Sequence, residues 1–181
     1  MQLLYHVNFG PPILGPGARL VAPVTMVVPR DKTAAGGIDH WPNYIAPQPA
    51  FEEEVFFFDL AADDAGRTQV LLHNAEATVG VSLRFDKRQL PCFSQWKNTV
   101  PLEDGYVTGL EPGTSYPNPR KHEAQHGRLA KLPPGGSREF EVELTWHQDA
   151  AAVARAEKEV IQLQEGIQPV VHRTPQPEWC I

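Results

Sequence analysis

The sequence lacks three features that would each indicate a particular class of protein. It has only two cysteines, Cys92 and Cys180, which are too few and too far apart for the disulfide framework of a small secreted domain. It has no run rich in lysine and arginine, and its formal charge is -6, which argues against nucleic acid as a partner. It has no apolar stretch long enough for a signal peptide or a membrane span. We therefore expect a cytoplasmic protein with reduced thiols that binds neither nucleic acid nor membrane.

The composition that remains is that of an ordinary globular protein. Hydrophobic residues make up 41% of the 181 residues and charged residues 21%, which provides enough apolar surface for a buried core. A chain of this length is expected to form a single domain, residues 1–181. Its 18 prolines and 14 glycines lie mostly between apolar runs, which indicates many turns and short elements. This pattern favours β structure.

Alternation of apolar and polar residues predicts several β-strands. The clearest alternation is in residues 140–146, which place four apolar side chains on one face. The same period recurs in residues 79–85, and the apolar residues 70–72 before them suggest an antiparallel pair. Residues 51–60 contain the continuous apolar run Val-Phe-Phe-Phe, which is typical of a strand covered on both faces. Two packed sheets would provide that cover.

One helix, a tail and a long loop complete the predicted elements. The helix runs from about Ala150 to Glu165, with Asp149 placed to cap it, and is expected on the outside of the sheets. The tail ends in Trp-Cys-Ile, residues 179–181, which would add a last strand. The loop between residues 30 and 49 carries three large rings, those of His40, Trp41 and Tyr44. These rings either form the rim of a binding site or pack the loop onto its own sheet.

Glu111 is the first candidate for a functional side chain. It follows the strand-like residues 106–110 and precedes a run of turn-forming proline, glycine and asparagine in residues 112–119. A carboxylate fixed at a strand end is within reach of a ligand. Judged by residue type alone, a solvated glutamate at the mouth of a loop is the more common outcome.

Three motifs resemble those of the aldose 1-epimerases, or mutarotases, and occur in the same order. In residues 109–119, Gly-Leu-Glu-Pro-Gly-Thr-Ser-Tyr-Pro-Asn-Pro, a Leu-Glu pair precedes an aromatic-Pro pair and an asparagine, as in that family. Residues 5–10, Tyr-His-Val-Asn-Phe-Gly, are similar to the stretch in which a histidine precedes an Asn-aromatic turn. Residues 132–137, Leu-Pro-Pro-Gly-Gly-Ser, are similar to the proline-glycine turn before a late strand. With residues 90–99, Leu-Pro-Cys-Phe-Ser-Gln-Trp-Lys-Asn-Thr, these segments most resemble a little-characterised bacterial branch of the family.

The resemblance implies a fold, an activity and the roles of two residues. The fold would be all-β, with two large packed antiparallel sheets resembling the galactose mutarotase-like β-supersandwich and one surface helix near the C-terminus. Glu111 would be the general base and His6 the general acid of an isomerase that interconverts the anomers or epimers of an aldose. The resemblance covers only the C-terminal half of a family member, so we expect the N-terminal part of the fold and its sugar-binding side chains to be missing. Long edge strands exposed in this way would favour a homodimer.

These residue types suit the chemistry of anomer interconversion. A base removes the proton from the hydroxyl on C1 of the pyranose while an acid protonates the ring oxygen, and a carboxylate and an imidazole can share this work near neutral pH. No cofactor or metal is required. Candidate contacts to a small-molecule sugar are Asn8, Gln95, Trp96 and Lys97, which offer amides, an indole face and an ammonium group. The competing interpretation places Trp96 in the core, Lys97 in solvent and His6 against a backbone carbonyl.

Other constellations give weaker signals. His122 and His126 have the spacing of two metal ligands on a helix, but the proline, glycine and arginines around them indicate a loop, so no metal site is expected. No nucleophile elbow is present, and the glycines at 135 and 136 lack the lysine of a phosphate-binding loop. Two rivals to the enzyme remain, namely a non-catalytic carbohydrate-binding protein and a truncated family member without activity. The identity of the sugar, including any phosphate or sulfonate group on it, is left open.

Overall fold

The computed structural model describes residues 1–181 as ten β-strands and three α-helices. The strands are β1 (Val7–Phe9), β2 (Arg19–Val21), β3 (Val24–Pro29), β4 (Glu54–Leu60), β5 (Arg67–His73), β6 (Gly80–Asp86), β7 (Cys92–Asn98), β8 (Val107–Gly113), β9 (Val142–His147) and β10 (Val170–Val171). The helices are α1 (Lys32–Gly37), α2 (Arg120–Gln125) and α3 (Ala150–Leu163), with 3₁₀ turns at Ile38–His40 and Leu102–Asp104. The sequence predicted only α3, because helices of six residues such as α1 and α2 are too short to show a helical period.

The strands form two sheets that pack face to face, so the predicted all-β fold with two packed sheets is confirmed. The six-stranded sheet has the order β1-β8-β7-β4-β3-β10 and the four-stranded sheet the order β2-β5-β6-β9. Neighbouring strands are antiparallel, except that the two-residue strand β10 lies parallel to β3. The space between the sheets is filled by a core of 22 buried apolar residues. The six-stranded sheet has a second face that points away from this core.

Strand β4 buries apolar side chains on both faces, as its continuous apolar run predicts. Phe56 and Phe58 point into the core between the sheets. Val55 and Phe57 point to the opposite face and join a second apolar cluster there. The ring of Tyr116 stacks on that of Phe57, with centroids 4.8 Å apart. The second face of β4 is therefore covered by side chains from outside the sheets and not by the other sheet.

The C-terminal residues pack over this second face without forming a strand. Trp179 and Cys180, which were predicted to extend a sheet, lie in a turn whose backbone amides both donate to the carbonyl of Gln176. The prolines at 175 and 177 lack the amide donors that a strand would need. The side chain of Trp179 packs against Tyr116, with ring centroids 5.0 Å apart. Both cysteines are free thiols and are buried.

Strands β5 and β6 form the predicted antiparallel pair, and β9 adds to the outer edge of β6. The strand predicted from Phe140 begins at Val142 in the structure. Its side chains Leu144 and Trp146 share the core side of the sheet with Leu83 and Val81, but they are 53% and 49% exposed because β9 is an edge strand. Strand β1 is an edge of the other sheet. Association of two copies through such edges stays a prediction.

Helix α3 covers the outer face of the four-stranded sheet, as predicted. It begins directly after Asp149, whose carboxylate accepts a hydrogen bond of 2.8 Å from the backbone amide of Ala152. Its buried side chains pack against Leu71 of β5; they are Val153, Ala156 and Val160. None of the three helices combines the length and the apolar character needed to cross a membrane.

The loop between β3 and β4 packs onto its own sheet, which decides between the two interpretations of its rings. Tyr44 is buried, and its hydroxyl group lies 2.7 Å from the hydroxyl of Thr108. The ring of Trp41 meets Phe58 edge to face in the core, with centroids 5.0 Å apart. Only His40 of the three rings is exposed. The rings of Trp41 and Tyr44 belong to the core between the sheets and do not form a rim.

We predict that Asp149→Ala lowers the free energy of unfolding by about 1 kcal/mol, because the first turn of α3 loses its capping acceptor. Urea denaturation at neutral pH measures this change. Asp149→Asn keeps an acceptor oxygen at the same position and should retain most of the stability. Equal stability of the Ala variant and the wild type would show that the cap contributes nothing.

Candidate active site

Glu111 lies within strand β8, on the face of the six-stranded sheet that points away from the core. The turn-forming residues after Glu111 had suggested that it lies at the end of the strand. The strand continues through Pro112 and Gly113, so Glu111 lies inside it. Leu110 before it belongs to the core between the sheets, and alternation along the strand turns Glu111 outward. Glu111 is only 3% exposed. We call this outward face, which also carries Ser94 and Trp96, the site face.

Four side chains on the site face contact one another in a line. The Nε2 atom of His6 lies 2.9 Å from Oε1 of Glu111, and the hydroxyl of Ser94 donates to Oε2 of Glu111 at 2.8 Å. The Nδ1 atom of His6 lies 2.7 Å from Oδ1 of Asn8. Antiparallel pairing of β1 with β8 and of β8 with β7 brings these residues together, since Asn8 lies opposite Gly109 and Ser94 lies opposite Glu111. The structure thus unites the two proposed catalytic residues and one proposed sugar contact.

Each ring nitrogen of His6 faces an oxygen atom, which limits the protonation states of the pair. An imidazolium ring donates to the oxygens of Glu111 and Asn8 at once. A neutral ring donates to one oxygen only, and then needs a proton on Glu111 or a reversed amide on Asn8 to complete the other contact. In each arrangement a proton lies between His6 and Glu111. The pair can therefore hold a proton and release it to a third group.

Burial sets the proton affinity of Glu111. Its removal from water raises the pKa of the carboxyl above the ordinary value, and the nearby charge of Glu53 adds to this rise. The hydrogen bond from Ser94 and the charges of His6 and Arg30 lower the pKa and offset part of the rise. The net result is a carboxylate that accepts a proton more readily than an exposed glutamate does. This is the property a general base needs.

Gly109 makes room for the contact between Glu111 and His6. A Cβ atom at this position would lie 2.6 Å from Oε1 of Glu111 and 3.0 Å from Cε1 of His6. Both side chains therefore fold over the glycine, two residues before Glu111 on the same face of β8. Gly109 had no predicted role of its own, although a glycine inside a strand often marks a place where another group approaches the backbone closely.

A second group of polar side chains adjoins the pair on the site face. The ring of Trp96 meets His6 edge to face, with centroids 5.4 Å apart. The indole Nε1 of Trp96 donates to Oε2 of Glu53 at 2.8 Å, and Arg30 donates from Nη2 to Oε1 of the same carboxylate at 3.2 Å. Trp96 was a predicted sugar contact, whereas Glu53, Arg30 and Ser94 were not singled out. These three residues alternate along the chain with neighbours that face the core, and this alternation could have identified them as residues of the site face.

Gln95 and Lys97, the other predicted sugar contacts, point to the opposite face of the sheet. Gln95 is fully buried and donates to the backbone oxygen of Trp41 at 3.0 Å. Lys97 is 4% exposed, and its Nζ atom lies 3.5 Å from Oε2 of Glu54. Consecutive side chains of a strand alternate between faces. Gln95 and Lys97 therefore cannot lie on the face that carries Trp96, which stands between them in the strand. The structure places them in the core and not beside Glu111.

Glu123 is a second buried carboxylate, and it holds the residues around Tyr116 in place beside the site face. Glu123 is fully buried and accepts hydrogen bonds from the backbone amide of Tyr116, from Asn118 and, at 2.6 and 2.7 Å, from Arg128. Burial alone would raise the pKa of Glu123, but the bonds from Arg128 and Asn118 outweigh it and lower the pKa. Asn118 also donates to the backbone oxygen of Trp179 at 2.7 Å. This carboxylate is a structural group that fixes the C-terminal turn.

His122 and His126 lie at the short helix α2, where a loop had been predicted. Their rings are close, with centroids 4.3 Å apart. The Nε2 atom of His122 is buried without a partner, and Nδ1 of His126 lies 2.9 Å from the backbone oxygen of His122. No group of three or more His, Cys, Asp or Glu side chains in the protein is arranged to hold a metal ion. Two histidines alone do not make a metal site.

We predict that Glu111→Gln stabilises the protein at pH 7. The folded-state pKa of Glu111 is raised, so the wild type loses stability as the pH rises through that pKa, and the amide has no such loss. The advantage of the variant should shrink as the pH falls toward 4, where the carboxyl is protonated. Urea denaturation of both proteins across this pH range measures the effect.

Glu123→Gln is the matched control with the opposite sign. The folded-state pKa of Glu123 is lowered, so its carboxylate contributes stability above the unfolded pKa that is lost as the pH falls through the folded pKa. At pH 7 we expect a loss of about 3 kcal/mol, because the charge of Arg128 loses its carboxylate partner. Equal effects of the two substitutions at pH 7 would contradict the assignment of different roles.

We predict that Gly109→Ala separates Glu111 from His6 and leaves the fold intact. The added methyl group would lie 2.6 Å from a carboxylate oxygen, and the side chain can move away while the backbone stays in place. The resonances of the His6 ring should shift in NMR spectra, and any turnover should fall at least about tenfold, since misplaced groups lose catalysis steeply. Gly36→Ala is the control, because a Cβ atom there meets nothing within 4 Å. An unchanged His6 signal in the Gly109 variant would refute the prediction.

Comparisons with known proteins identify the family. Residues 1–146 match the family model described as Domain of unknown function (DUF4432). No curated protein matches the chain. Among solved structures, that of a putative aldose 1-epimerase from Klebsiella pneumoniae subsp. pneumoniae MGH 78578 superimposes with a TM-score of 0.93 at 39% sequence identity.

The match to the Klebsiella structure covers 96% of this chain and 45% of that one, so this chain spans less than half the length of its relative. The match bears out the resemblance drawn from the motifs, and the DUF4432 model fits the little-characterised branch to which they pointed. The two packed sheets are those of an aldose epimerase-like sandwich. The chain belongs to the DUF4432 family of proteins with this fold.

Proposed function

We propose that the protein is a sugar isomerase that binds an aldose on the site face and interconverts its anomers. The single observation that carries the proposal is the 2.9 Å contact between the imidazole of His6 and the buried carboxylate of Glu111. The similarity to the structure of a putative aldose 1-epimerase from Klebsiella supports the same class of reaction. In this proposal residues 1–181 act as a single carbohydrate-binding domain.

The reaction uses Glu111 as the base and His6 as the acid. Glu111 takes the proton of the hydroxyl on C1 of the pyranose, and the electron pair left on that oxygen forms the carbonyl of the open-chain aldehyde. The bond between C1 and the ring oxygen breaks, and the ring oxygen takes a proton from the His6 imidazolium. Rotation about the C1–C2 bond presents the other face of the carbonyl. The two protons then return along the same routes, and the ring closes as the other anomer.

The local geometry supports this division of roles. The two oxygens that exchange protons are both bonded to C1, so the acid and the base must lie close together, as His6 and Glu111 do. The raised pKa of Glu111 suits a group that must take up and give back a proton within one turnover. The contact of Asn8 with Nδ1 fixes the His6 ring so that Nε2 lies beside Oε1 of Glu111. Trp96 would offer its indole surface to the C–H face of the sugar ring.

A non-catalytic carbohydrate-binding protein is the second candidate. The side chain of His6 is 47% exposed, which is more open than is usual for a site that must exclude water from its reacting groups. The match also covers only 45% of the Klebsiella protein, so the likeness extends to less than half of that chain. A binding protein or an inactive family member would keep the site face and lack turnover.

NMR exchange spectroscopy between the anomers of several aldoses tests the proposal. We expect the wild type to accelerate exchange for at least one aldose, and Glu111→Gln and His6→Asn each to lower kcat by about 10²- to 10⁴-fold. Glu103→Gln and His40→Asn make the same chemical changes at exposed positions and should keep full activity. A wild type that binds sugars but exchanges none of them would leave the binding protein as the answer.

A further inference from the structure

Glu53 is a polar residue of the site face that the proposed reaction does not use. It directly precedes β4, where alternation turns Glu54 inward to the buried Lys97 and turns Glu53 outward. Its carboxylate is close enough to Glu111 to raise the pKa of that group. The ring of Trp96 lies between the two strands that carry the carboxylates, against His6 on one side and bonded to Glu53 on the other.

The carboxylate of Glu53 is held in place and is still open to a ligand. Trp96 fixes one oxygen through a bond of 2.8 Å, and Arg30 fixes the other through a bond of 3.2 Å. The side chain is nevertheless 48% exposed, so lone pairs on both oxygens remain available. Strand β4 is two strand spacings, or about 10 Å, from β8. A hexose with C1 at Glu111 could present the hydroxyl groups of its far side to Glu53.

Arg30 and Lys97 are both already paired with carboxylates. Arg30 is bonded to Glu53 and also, through Nε at 2.9 Å, to Asp31. Lys97 is turned into the core and paired with Glu54. The carboxylates of Glu111, Glu53 and Asp31 thus face one arginine and one imidazole. The one arginine of this group is already shared by two carboxylates, so an anionic substituent on the sugar would be repelled.

We propose that Glu53 binds hydroxyl groups of the substrate and that the substrate is an uncharged aldose, not a sugar phosphate, sulfonate or uronate. The inference rests on the proposed function for the position of C1, and it adds the substrate class and a specificity-determining residue. A carboxylate accepts hydrogen bonds from two hydroxyls at once, and bonds to a charged acceptor are stronger than bonds between neutral groups. The negative charge of Glu53 also repels an anionic sugar, so the same residue favours neutral sugars and disfavours anionic ones.

Binding and anomer exchange measured with matched sugars test the inference. The neutral set is D-glucose, D-galactose and D-mannose, and the anionic set is glucose 6-phosphate, glucuronate and 6-deoxy-6-sulfoglucose. We expect the preferred neutral sugar to bind at least about tenfold more tightly than any anionic sugar, and the difference to shrink as salt screens the charges. Glu53→Gln should weaken binding of the neutral sugar by about tenfold, within the range for a hydrogen bond to a charged group. Its kcat should change less than its KM.

Two further variants complete the design. Glu52→Gln makes the same change at the neighbouring exposed carboxylate, which is bonded to Thr33 at 3.2 Å, and should leave binding unchanged. Glu53→Lys reverses the charge and should shift the preference toward glucose 6-phosphate, a gain that damage to the fold cannot produce. Circular dichroism confirms that each variant is folded.

The outcomes separate this inference from the proposed function. Preference for an anionic sugar with anomer exchange intact overturns the inference and leaves the isomerase standing. Binding of neutral sugars without exchange, weakened by Glu53→Gln, supports the inference and refutes the isomerase. Unchanged affinity in a folded Glu53→Gln variant overturns the role of Glu53, and failure of the wild type to bind any neutral sugar overturns the substrate class.

Discussion

The side chains of a β-strand alternate between the two faces of its sheet, and the six-stranded sheet uses both faces. On β7, Phe93 and Gln95 fill the core between the sheets, while Ser94 and Trp96 reach the site face. A shift of one residue in the pairing of β7 would exchange these sets and place the site residues in the core. The same register therefore sets the stability of the sandwich and the composition of the site. Because Glu111 lies opposite Ser94, the register also determines which hydroxyl meets its carboxylate.

The buried charges of the protein differ in how fully they are satisfied. Glu123 has four donors around its two oxygens, and the pKa of its carboxyl is lowered despite complete burial. Glu111 has Ser94 and the shared proton of His6, and its pKa is raised. A fully bonded carboxylate holds the structure together, whereas a buried carboxylate with spare proton affinity can perform chemistry. This contrast, and not burial itself, marks Glu111 as the functional group of the two.

Several elements could be predicted from the sequence because their signals are local. The alternation in β6 and β9, the continuous apolar run of β4 and the cap at Asp149 each require only a few consecutive residues. Edge positions could not be predicted, because the exposure of Leu144 and Trp146 depends on the order of strands in the sheet. The burial of Gln95 and Lys97 in the core was not predicted either. Only the assignment of residues 95–97 to a strand shows that these two side chains face away from Trp96.

The sequence by itself determined the β class, the main helix and the family resemblance, including the segments that carry His6 and Glu111. These follow from short-range periodicity and from motifs that can be read along the chain. Only the tertiary structure decided that His6 and Glu111 touch, that Gly109 gives them room and that Glu53 joins them beside Trp96. These contacts join segments that lie far apart along the chain, and the pairing of β1, β8, β7 and β4 brings them together. Strand pairing is a property of the whole sheet, and no single segment encodes it.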